Sequence, residues 1–261
     1  RLLGFIDAEV SHALADGMRA VGVEFYMNDG IEQIETGDVI SAKLKSGKVI
    51  KTHSLLAATG RSGNTQNMGL EAIGLQPDGR GNLKVNASFQ TAAPHIYAVG
   101  DVVGFPALAA TSMEQARVAM VHAFDLKYKS GVTNILPYGI YTIPECSMAG
   151  ETEESLAKSG VPYVVGRARY SQNARGQIIG DKDGFLKLLF READMKLLGV
   201  VVIGEQASEL VHVGLTALLT QSGADLFIQM CFNYPTLTEL YKYATYDALG
   251  QRAKRRNVAE A

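Results

Sequence analysis

The sequence predicts an α/β region followed by a separate α+β region. The first region combines a helical pattern over residues 8–21 with β-branched and apolar segments. One of these, Leu55–Ala58, is fully apolar, as in a buried parallel strand. The second region places strand patterns before helical patterns, which is typical of α+β domains. The 27 glycines among 261 residues exceed the usual share of about 7% and favour tight turns.

The first region opens with a helix. Asp7 is a good N-cap, apolar residues recur at helical spacing from Val10 to Val21, and Gly22 ends the pattern. The β-branched and aromatic segment Val23–Met27 predicts a strand. Three alternating segments predict further strands, the last two joined by a hairpin turn at Ser46-Gly47: Ile31–Glu35, Val39–Lys45 and Lys48–Thr52.

The apolar strand Leu55–Ala58 breaks at Thr59-Gly60-Arg61. This order is typical of the second half of a nucleotide-binding α/β domain whose first strand and phosphate loop are missing. Residues 60–86 are rich in Gly, Asn, Asp and Gln and predict a crossing between domains with little regular structure. A short strand, Ile96–Val99, then leads into Gly100-Asp101, and a long helix is expected over Ala107–Lys129.

The second region begins after Gly131. It contains a helix that is apolar nearly all round, which indicates a buried helix, and a basic tail, Arg252–Arg256, that we expect to fray. The predicted strands are Ile135–Ile143, Val161–Tyr170, Phe185–Phe190 and Leu197–Ile203. The predicted helices are Glu151–Ser159, Gln206–Gln221, Ala224–Cys231 and Thr236–Leu249, with a turn at Asn173–Gly176.

Charge and composition exclude several classes of protein. The 25 basic and 27 acidic residues give a net charge of -2, which argues against a nucleic-acid binder or a polybasic membrane binder. Two cysteines, Cys146 and Cys231, cannot build a disulfide scaffold, and their apolar surroundings predict buried structural thiols. The 5 histidines lie far apart without ligand spacing, so no metal site is expected. A cytoplasmic location is expected, since no transmembrane segment is predicted.

Three short segments of the first region are candidates for ligand binding. Ala58, Thr59 and Gly60 form a turn at the end of the predicted strand, where open α/β sheets bind nucleotides; an ordinary strand-end turn is the alternative. The Gly100-Asp101 bend leaves room for a bulky ligand, and its carboxylate can accept hydrogen bonds from sugar or ribityl hydroxyls; an ordinary N-cap and turn is the alternative. The helix start Ala107-Leu108-Ala109 exposes amides that stabilise negative charge.

A fourth segment, Asn233–Glu239, lies in the second region. Thr236 and Glu239 are spaced as a capping box, and that structural role is complete in itself. A functional role would add Tyr234, which lies on the loop before the cap.

In their order and spacing, these segments resemble the pyridine nucleotide–disulfide oxidoreductase flavoproteins, the family that contains glutathione reductase and lipoamide dehydrogenase. The resemblance covers essentially the whole chain. Because the chain starts with Arg1 rather than Met, we expect it to be the C-terminal part of a longer protein. The matching motifs are Ala58-Thr59-Gly60-Arg61, Thr91 with Ile96–Asp101, Pro106–Ala109, Pro144-Glu145 and Gly150–Glu153.

The resemblance implies a fold of three parts. Residues 1–62 would finish a Rossmann-like NAD(P) domain, residues 63–131 would be the central segment of an FAD domain, and residues 132–261 would be an α+β dimerisation domain. The resemblance also implies a homodimer or larger homo-oligomer, without nucleic-acid or membrane partners. The implied FAD contacts are Gly100, Asp101, Ala107, Leu108 and Ala109, and the implied NAD(P) contacts are Ala58, Thr59 and Gly60.

One departure from the family changes the expected chemistry. In its disulfide reductases the last motif reads His-Pro-Thr-x-x-Glu, and the histidine and glutamate form the acid/base pair that serves the dithiol. Here Glu239 matches, but Tyr234 stands at the histidine position. Tyrosine as a residue type titrates near pH 10, against about 6.5 for histidine, so it is poorly suited to proton transfer at neutral pH.

Hydride transfer between nicotinamide and flavin needs no such base. Within the family, the sequence resembles the transhydrogenase group, and this resemblance implies a Si-specific enzyme that moves a hydride from NADPH to NAD+ through FAD. Two alternatives stay open. One is a flavin disulfide reductase of the lipoamide dehydrogenase kind, for which a C-x4-C pair outside this sequence would be needed. The other is an inactive fragment that serves only as a dimerisation module.

Overall fold

The computed structural model describes residues 1–259, which form two compact units. The sheet unit combines Arg1–Phe25 with the chain from Ile135 onward, and the middle unit is Tyr26–Asn134. The helices are α1 (Ala8–Ala20), α2 (Ala109–Ala123), α3 (Glu153–Ser159), α4 (Ala174–Ile179), α5 (Ala207–Leu219), α6 (Ala224–Gln229) and α7 (Leu240–Ala259). The strands are β1 (Ile31–Glu35), β2 (Ile40–Leu44), β3 (Val49–Thr52), β4 (Tyr138–Ile140), β5 (Cys146–Gly150), β6 (Tyr163–Arg169), β7 (Phe185–Arg191) and β8 (Leu197–Ile203).

The division into units differs from the predicted one. We expected the first 25 residues to belong with residues 26–62, but α1 packs in the sheet unit because its apolar side chains are buried there. The division of the chain into three domains otherwise stays a prediction.

An antiparallel sheet of five strands forms the centre of the sheet unit, in the order β4-β5-β8-β7-β6. Helices α5, α6 and α7 cover one face. Leu186, Leu188 and Phe190 alternate along β7 and are fully buried against these helices, each contributing about 1.5–3 kcal/mol by its burial. The hydroxyl of Tyr241 donates to the carbonyl oxygen of Leu210 (2.6 Å), which joins α7 to α5.

The opposite face of the sheet is covered by α1 and α3. Ile6, Val10 and Leu14 are buried against Leu189 and Val201. Asp7 caps α1 as predicted, because its carboxylate accepts a hydrogen bond from the Glu9 amide at 3.0 Å. The apolar side chains at helical spacing are therefore buried. They pack against the five-stranded sheet and not against the strands of residues 26–62.

A cluster of charged side chains lies where α1 meets this face. We call it the ionic cluster; it consists of Asp7, Glu9, Glu153, Arg167 and Lys187. Lys187 lies in β7 with only 1% of its side chain exposed, and its Nζ contacts Asp7 Oδ1 (2.8 Å), Glu9 Oε2 (3.0 Å) and Glu153 Oε1. Arg167 binds both carboxylate oxygens of Glu9, at 2.9 Å and 2.8 Å. The carboxylates of the cluster thus compensate the free-energy cost of burying the charge of Lys187.

Strands β1, β2 and β3 of the middle unit form an antiparallel sheet in sequence order, as the alternating segments predict. All five residues of β1 are exposed. A small apolar core of this unit is built around Leu70, Leu75 and Ala93. Helix α2 follows, and it is shorter than the predicted helix Ala107–Lys129.

Three predicted strands of the first region are wrong. Val23–Met27 and Leu55–Ala58 have no regular structure, and Ile96–Val99 forms only one bridge, between Tyr97 and Gln90. A buried parallel strand needs neighbouring strands and helices on its faces. Within residues 1–259 nothing covers Leu55–Ala58 in this way, and Leu56 is 90% exposed.

The second region agrees better with its predicted elements, and β8 matches the prediction residue for residue. Strand β5 was not predicted, and the turn expected at Asn173–Gly176 is the start of α4, capped by the Asn173 side chain. The tail Arg252–Arg256 was expected to fray but lies within α7, where Arg255 donates to the Tyr163 carbonyl at 2.8 Å. Side-chain hydrogen bonds of this kind extend the helix past its apolar part.

Candidate functional site

The residues before the candidate bend are held by a buried threonine. Thr91 Oγ1 donates within a tight loop to the carbonyl oxygens of Ile96 (3.0 Å) and Ala93 (3.1 Å), and the Thr91 amide donates to the Ile96 carbonyl at 2.9 Å. This loop sets the path of Ile96–Val99 and delivers the chain to Gly100. The predicted motif from Thr91 to Asp101 is therefore one structural element, although it is not a strand.

Gly100 is fixed against α2 and cannot be another residue without strain. Its φ is +80°, and a Cβ there would lie 2.4 Å from Ser112 Oγ. The Gly100 amide donates to Oε1 of Gln115 at 2.7 Å, and Gln115 is buried. Gln115 was not among the predicted site residues; a single amide side chain on the buried face of the predicted helix was the available signal.

Asp101 follows on a 3-10 turn, Gly100–Val103, with its side chain 41% exposed. Its Oδ2 pairs with Nη1 of Arg61 at 2.8 Å. Within residues 1–259 its Oδ1 has no hydrogen bond to the protein, so that oxygen is available to an external hydroxyl donor. The structure therefore keeps an accessible acceptor at the position that the sequence predicts.

The start of α2 completes this surface. Leu108 precedes the helix in an extended conformation, and no side chain caps the helix N-terminus. The Leu108 amide donates to the Pro106 carbonyl at 3.1 Å, so the first uncommitted amides belong to Ala109 and Ala110. These two residues and Ala107 are exposed. Uncapped amides at the positive end of a 15-residue helix favour a negatively charged ligand group.

The groups at this surface fit a flavin. A free carboxylate oxygen suits a ribityl hydroxyl, and uncapped helix amides suit the carbonyl edge of a ring that gains negative charge on reduction. The Gly100 backbone, which has no room for a Cβ, brings the chain close to Ser112. We call this surface the Asp101 cradle; it consists of Gly100, Asp101, Ala107, Leu108 and Ala109.

Ala58, Thr59 and Gly60 also lie in the middle unit, directly before Arg61, which pairs with Asp101. They are exposed and have no regular structure, and Gly60 has a φ of +118°, which only glycine adopts readily. A shallow apolar depression is lined by Ile31, Ile34, Leu55, Leu56 and Thr59. The turn is thus accessible to a ligand, but the strand that was expected to support it is missing.

Tyr234 and Glu239 lie in the sheet unit. Tyr234 is 75% exposed. Glu239 forms the predicted capping box with Thr236, and its Oε2 accepts from the Thr236 amide at 3.4 Å. The predicted capping role of Glu239 is confirmed, since its carboxylate accepts the hydrogen bond from the Thr236 amide.

The two cysteines differ in environment. Cys146 is buried as predicted, and desolvation by burial raises the pKa of its thiol to about 11, so it is almost wholly protonated at neutral pH. Cys231 was expected to be buried but is exposed, because α6 ends at Gln229 and leaves it on the following loop.

The part of the chain that the structure describes offers neither a metal-binding cluster nor a membrane-spanning helix. No cluster of three or more His, Cys, Asp or Glu side chains there could hold a metal ion. Among the described helices, none combines the length and the apolar character needed to span a membrane.

Comparison with known proteins identifies the family. The model of the pyridine nucleotide-disulphide oxidoreductases matches residues 1–123, and the model of their dimerisation domain matches residues 136–245. The chain belongs to the pyridine nucleotide-disulphide oxidoreductase family. This confirms the resemblance and the fold class that the sequence predicts.

Members of this family named soluble pyridine nucleotide transhydrogenase are similar over nearly the whole chain. Those from Mycobacterium bovis and Yersinia enterocolitica are 45% and 44% identical over 96% of this chain. The chain covers 53% and 55% of their lengths, so it spans about half of the curated relatives that it matches. The expected similarity to the transhydrogenase group is confirmed.

Solved structures of the family have the same fold. LpdA from Mycobacterium tuberculosis matches with a TM-score of 0.84 at 26% identity, over 92% of this chain and 52% of that protein. RclA from Escherichia coli, an HOCl-induced flavoprotein disulfide reductase, matches with a TM-score of 0.89 at 21% identity, over 94% of this chain and 57% of that protein. The second likeness shows the fold alone.

Proposed function

We propose that this chain is part of an FAD-dependent enzyme that transfers a hydride from NADPH to NAD+. The observation that carries the proposal is the state of the two positions that form the acid/base pair in disulfide reductases. One holds an exposed tyrosine, and the other holds a glutamate engaged in a helix cap. Thiol chemistry needs a base at these positions, whereas hydride transfer does not.

The chain's own residues would bind and orient the flavin. Asp101 would accept a hydrogen bond from a ribityl hydroxyl through Oδ1, since Arg61 occupies Oδ2. The amides at the start of α2 would stabilise negative charge on the ring, while Ala107 and Leu108 shape the approach to that helix end. When bound, FAD would supply the redox chemistry for hydride transfer between the two nucleotides.

The nicotinamide nucleotide would lie along the exposed turn of Ala58, Thr59 and Gly60. The positive φ of Gly60 supports this proposal, because a backbone without a Cβ allows a nucleotide to approach closely. We further propose a cytoplasmic homodimer that is built through the sheet unit, and Si-specific transfer as in the transhydrogenase group. The match of residues 136–245 to a dimerisation domain supports the dimer.

A spectrophotometric assay without any disulfide tests the proposed reaction. Purified protein loaded with FAD is mixed with NADPH and thionicotinamide-NAD+, and we expect reduction of the analogue. The same protein stripped of FAD is the control and should be inactive. Activity only with lipoamide or glutathione disulfide as acceptor would contradict the proposal and favour the disulfide reductase.

The alternative of a non-catalytic dimerisation module is tested by the flavin itself. A purified protein that shows no flavin absorbance after incubation with FAD would favour that alternative. Light scattering at micromolar concentration then tests the homodimer, and a monomer would contradict it.

A further inference from the structure

Two loops of the middle unit, 40 residues apart in the sequence, are joined by one ion pair. Arg61 directly follows Gly60, and Asp101 directly follows Gly100; both glycines have positive φ, +118° and +80°. The guanidinium of Arg61 reaches Oδ2 of Asp101 at 2.8 Å. Each charged side chain is thus presented by a bend that glycine alone adopts without strain.

We infer that Arg61 is a positioning residue that orients the Asp101 carboxylate for a flavin ribityl hydroxyl. The inference rests on the proposed flavin function and adds a residue to it. By holding Oδ2, the guanidinium leaves Oδ1 as the oxygen that can accept the ligand's hydrogen bond. It also limits rotation of the carboxylate, so less conformational entropy is lost when the ligand binds.

The exposure of the pair indicates a role in binding rather than in folding. Arg61 is 83% exposed and Asp101 is 41% exposed. Exposed ion pairs contribute little to folding stability, because solvent screens them. A ligand that covers the cradle excludes water from the pair and strengthens it, so the pair stabilises the bound state more than the free state.

The pair also connects the two proposed cofactor surfaces. Arg61 continues the exposed turn of Ala58, Thr59 and Gly60, while Asp101 belongs to the cradle. An arginine suits this place better than a lysine, because its planar fork has several donors in fixed directions. Lysine keeps the charge but not the fixed geometry, so it should restore the function only in part.

The test measures FAD dissociation constants by fluorescence titration of the protein that carries this sequence. Arg61→Ala should raise the constant about threefold to fivefold, as expected for a partly exposed charge pair. Arg61→Lys should restore part of the affinity. Asp101→Asn should weaken binding on the order of tenfold, and adding Arg61→Ala to it should have no further effect.

The matched control is Arg117→Ala, which removes another exposed arginine of the same unit that pairs with a carboxylate, that of Glu114. It should leave the FAD constant unchanged. Melting temperatures of all FAD-free variants should equal that of the wild type, which excludes a general loss of structure.

The outcomes separate this inference from the proposed function. If Asp101→Asn weakens FAD binding and Arg61→Ala does not, or if the two effects simply add, the positioning role is overturned and the flavin site stands. If Arg117→Ala weakens binding as much as Arg61→Ala, the effect is one of general charge and the inference also fails. A wild-type protein that takes up no FAD overturns the proposed function, and the inference with it.

Discussion

The two units of the molecule are stabilised in different ways. The sheet unit has a five-stranded sheet covered on both faces, with fully buried side chains in two large apolar cores. The middle unit has a three-stranded sheet whose first strand is exposed throughout, and its apolar core is small. Large apolar side chains such as Leu56 and Phe105 lie in solvent there.

This difference places the rigid core and the proposed ligand-binding surface in separate parts of the chain. Extensive burial makes the sheet unit rigid, so the side chains of the ionic cluster are held in one arrangement. The candidate ligand groups of the middle unit instead follow glycines with positive φ and are held by a few hydrogen bonds. We therefore expect substitutions in the sheet unit to affect folding most, and those in the cradle to affect local order and binding.

The largest expected effect is that of Lys187→Ala. Removing the ammonium leaves the Asp7 carboxylate, which is only 1% exposed, without its cation. Glu9 and Glu153, whose side chains are 33% and 32% exposed, still pair with Arg167. Breaking a buried pair from one side costs about 3–5 kcal/mol. Urea unfolding followed by circular dichroism measures the loss.

The control for this substitution is Lys182→Ala, an exposed lysine of the same unit, which should change stability by less than about 0.5 kcal/mol. Equal effects of the two substitutions would show that the ionic cluster does not stabilise the sheet unit more than a surface charge does.

The second effect is that of Gly100→Ala in the middle unit. A residue with a Cβ at a φ of +80° costs about 1–2 kcal/mol, and contact with Ser112 Oγ at 2.4 Å adds to it. Hydrogen exchange of residues 96–115, followed by mass spectrometry, should become faster, and FAD binding should weaken. Gly79→Ala, where a Cβ would meet nothing within 4 Å, is the matched control and should leave both unchanged.

The sequence predicted the sheet unit better than the middle unit, and the reason is physical. The nearly continuous apolar segments of β7 and β8 and the apolar pattern of α5 are buried within the chain itself, so local pattern and packing agree. Leu55–Ala58 has the composition of a buried strand, but a strand also needs neighbours, and composition does not state whether they are present. For the same reason, the sequence predicted that α1 is a helix but not that it packs in the sheet unit, because its local pattern does not name its packing partner.

At the Asp101 cradle, too, the local motif could be predicted from the sequence, whereas a contact with a distant segment could not. The motif from Thr91 to Asp101 forms one structural element, and ligand binding at Gly100 and Asp101 stays a prediction. The motif could not predict that the Arg61 guanidinium meets Asp101, because that ion pair joins segments separated by 40 residues. Pairings over such distances follow from the fold, not from local spacing.

A smaller effect is expected for Gln115→Ala. The substitution leaves the Gly100 amide without its acceptor, and an unsatisfied group of this kind costs about 1–2 kcal/mol where it is buried. Exchange of the Gly100 amide should become faster. Met113→Ala, which changes an exposed residue of the same helix, should not alter it.

The smallest effect concerns acid stability of the sheet unit. Burial acts to raise the pKa of Glu9, but hydrogen bonds from Arg167 and Lys187 outweigh it and hold this pKa below 4.5. Since the folded pKa is the lower one, the charge of Glu9 stabilises the fold above about pH 4.5, and this contribution is lost as the pH falls through the folded value. In Glu9→Gln the urea midpoint should therefore fall less steeply between about pH 5 and pH 3 than in the wild type. Glu205→Gln, at an exposed position, should follow the wild-type curve. If Glu9→Gln also followed the wild-type curve, the charge of Glu9 would not contribute to the stability that the ionic cluster provides.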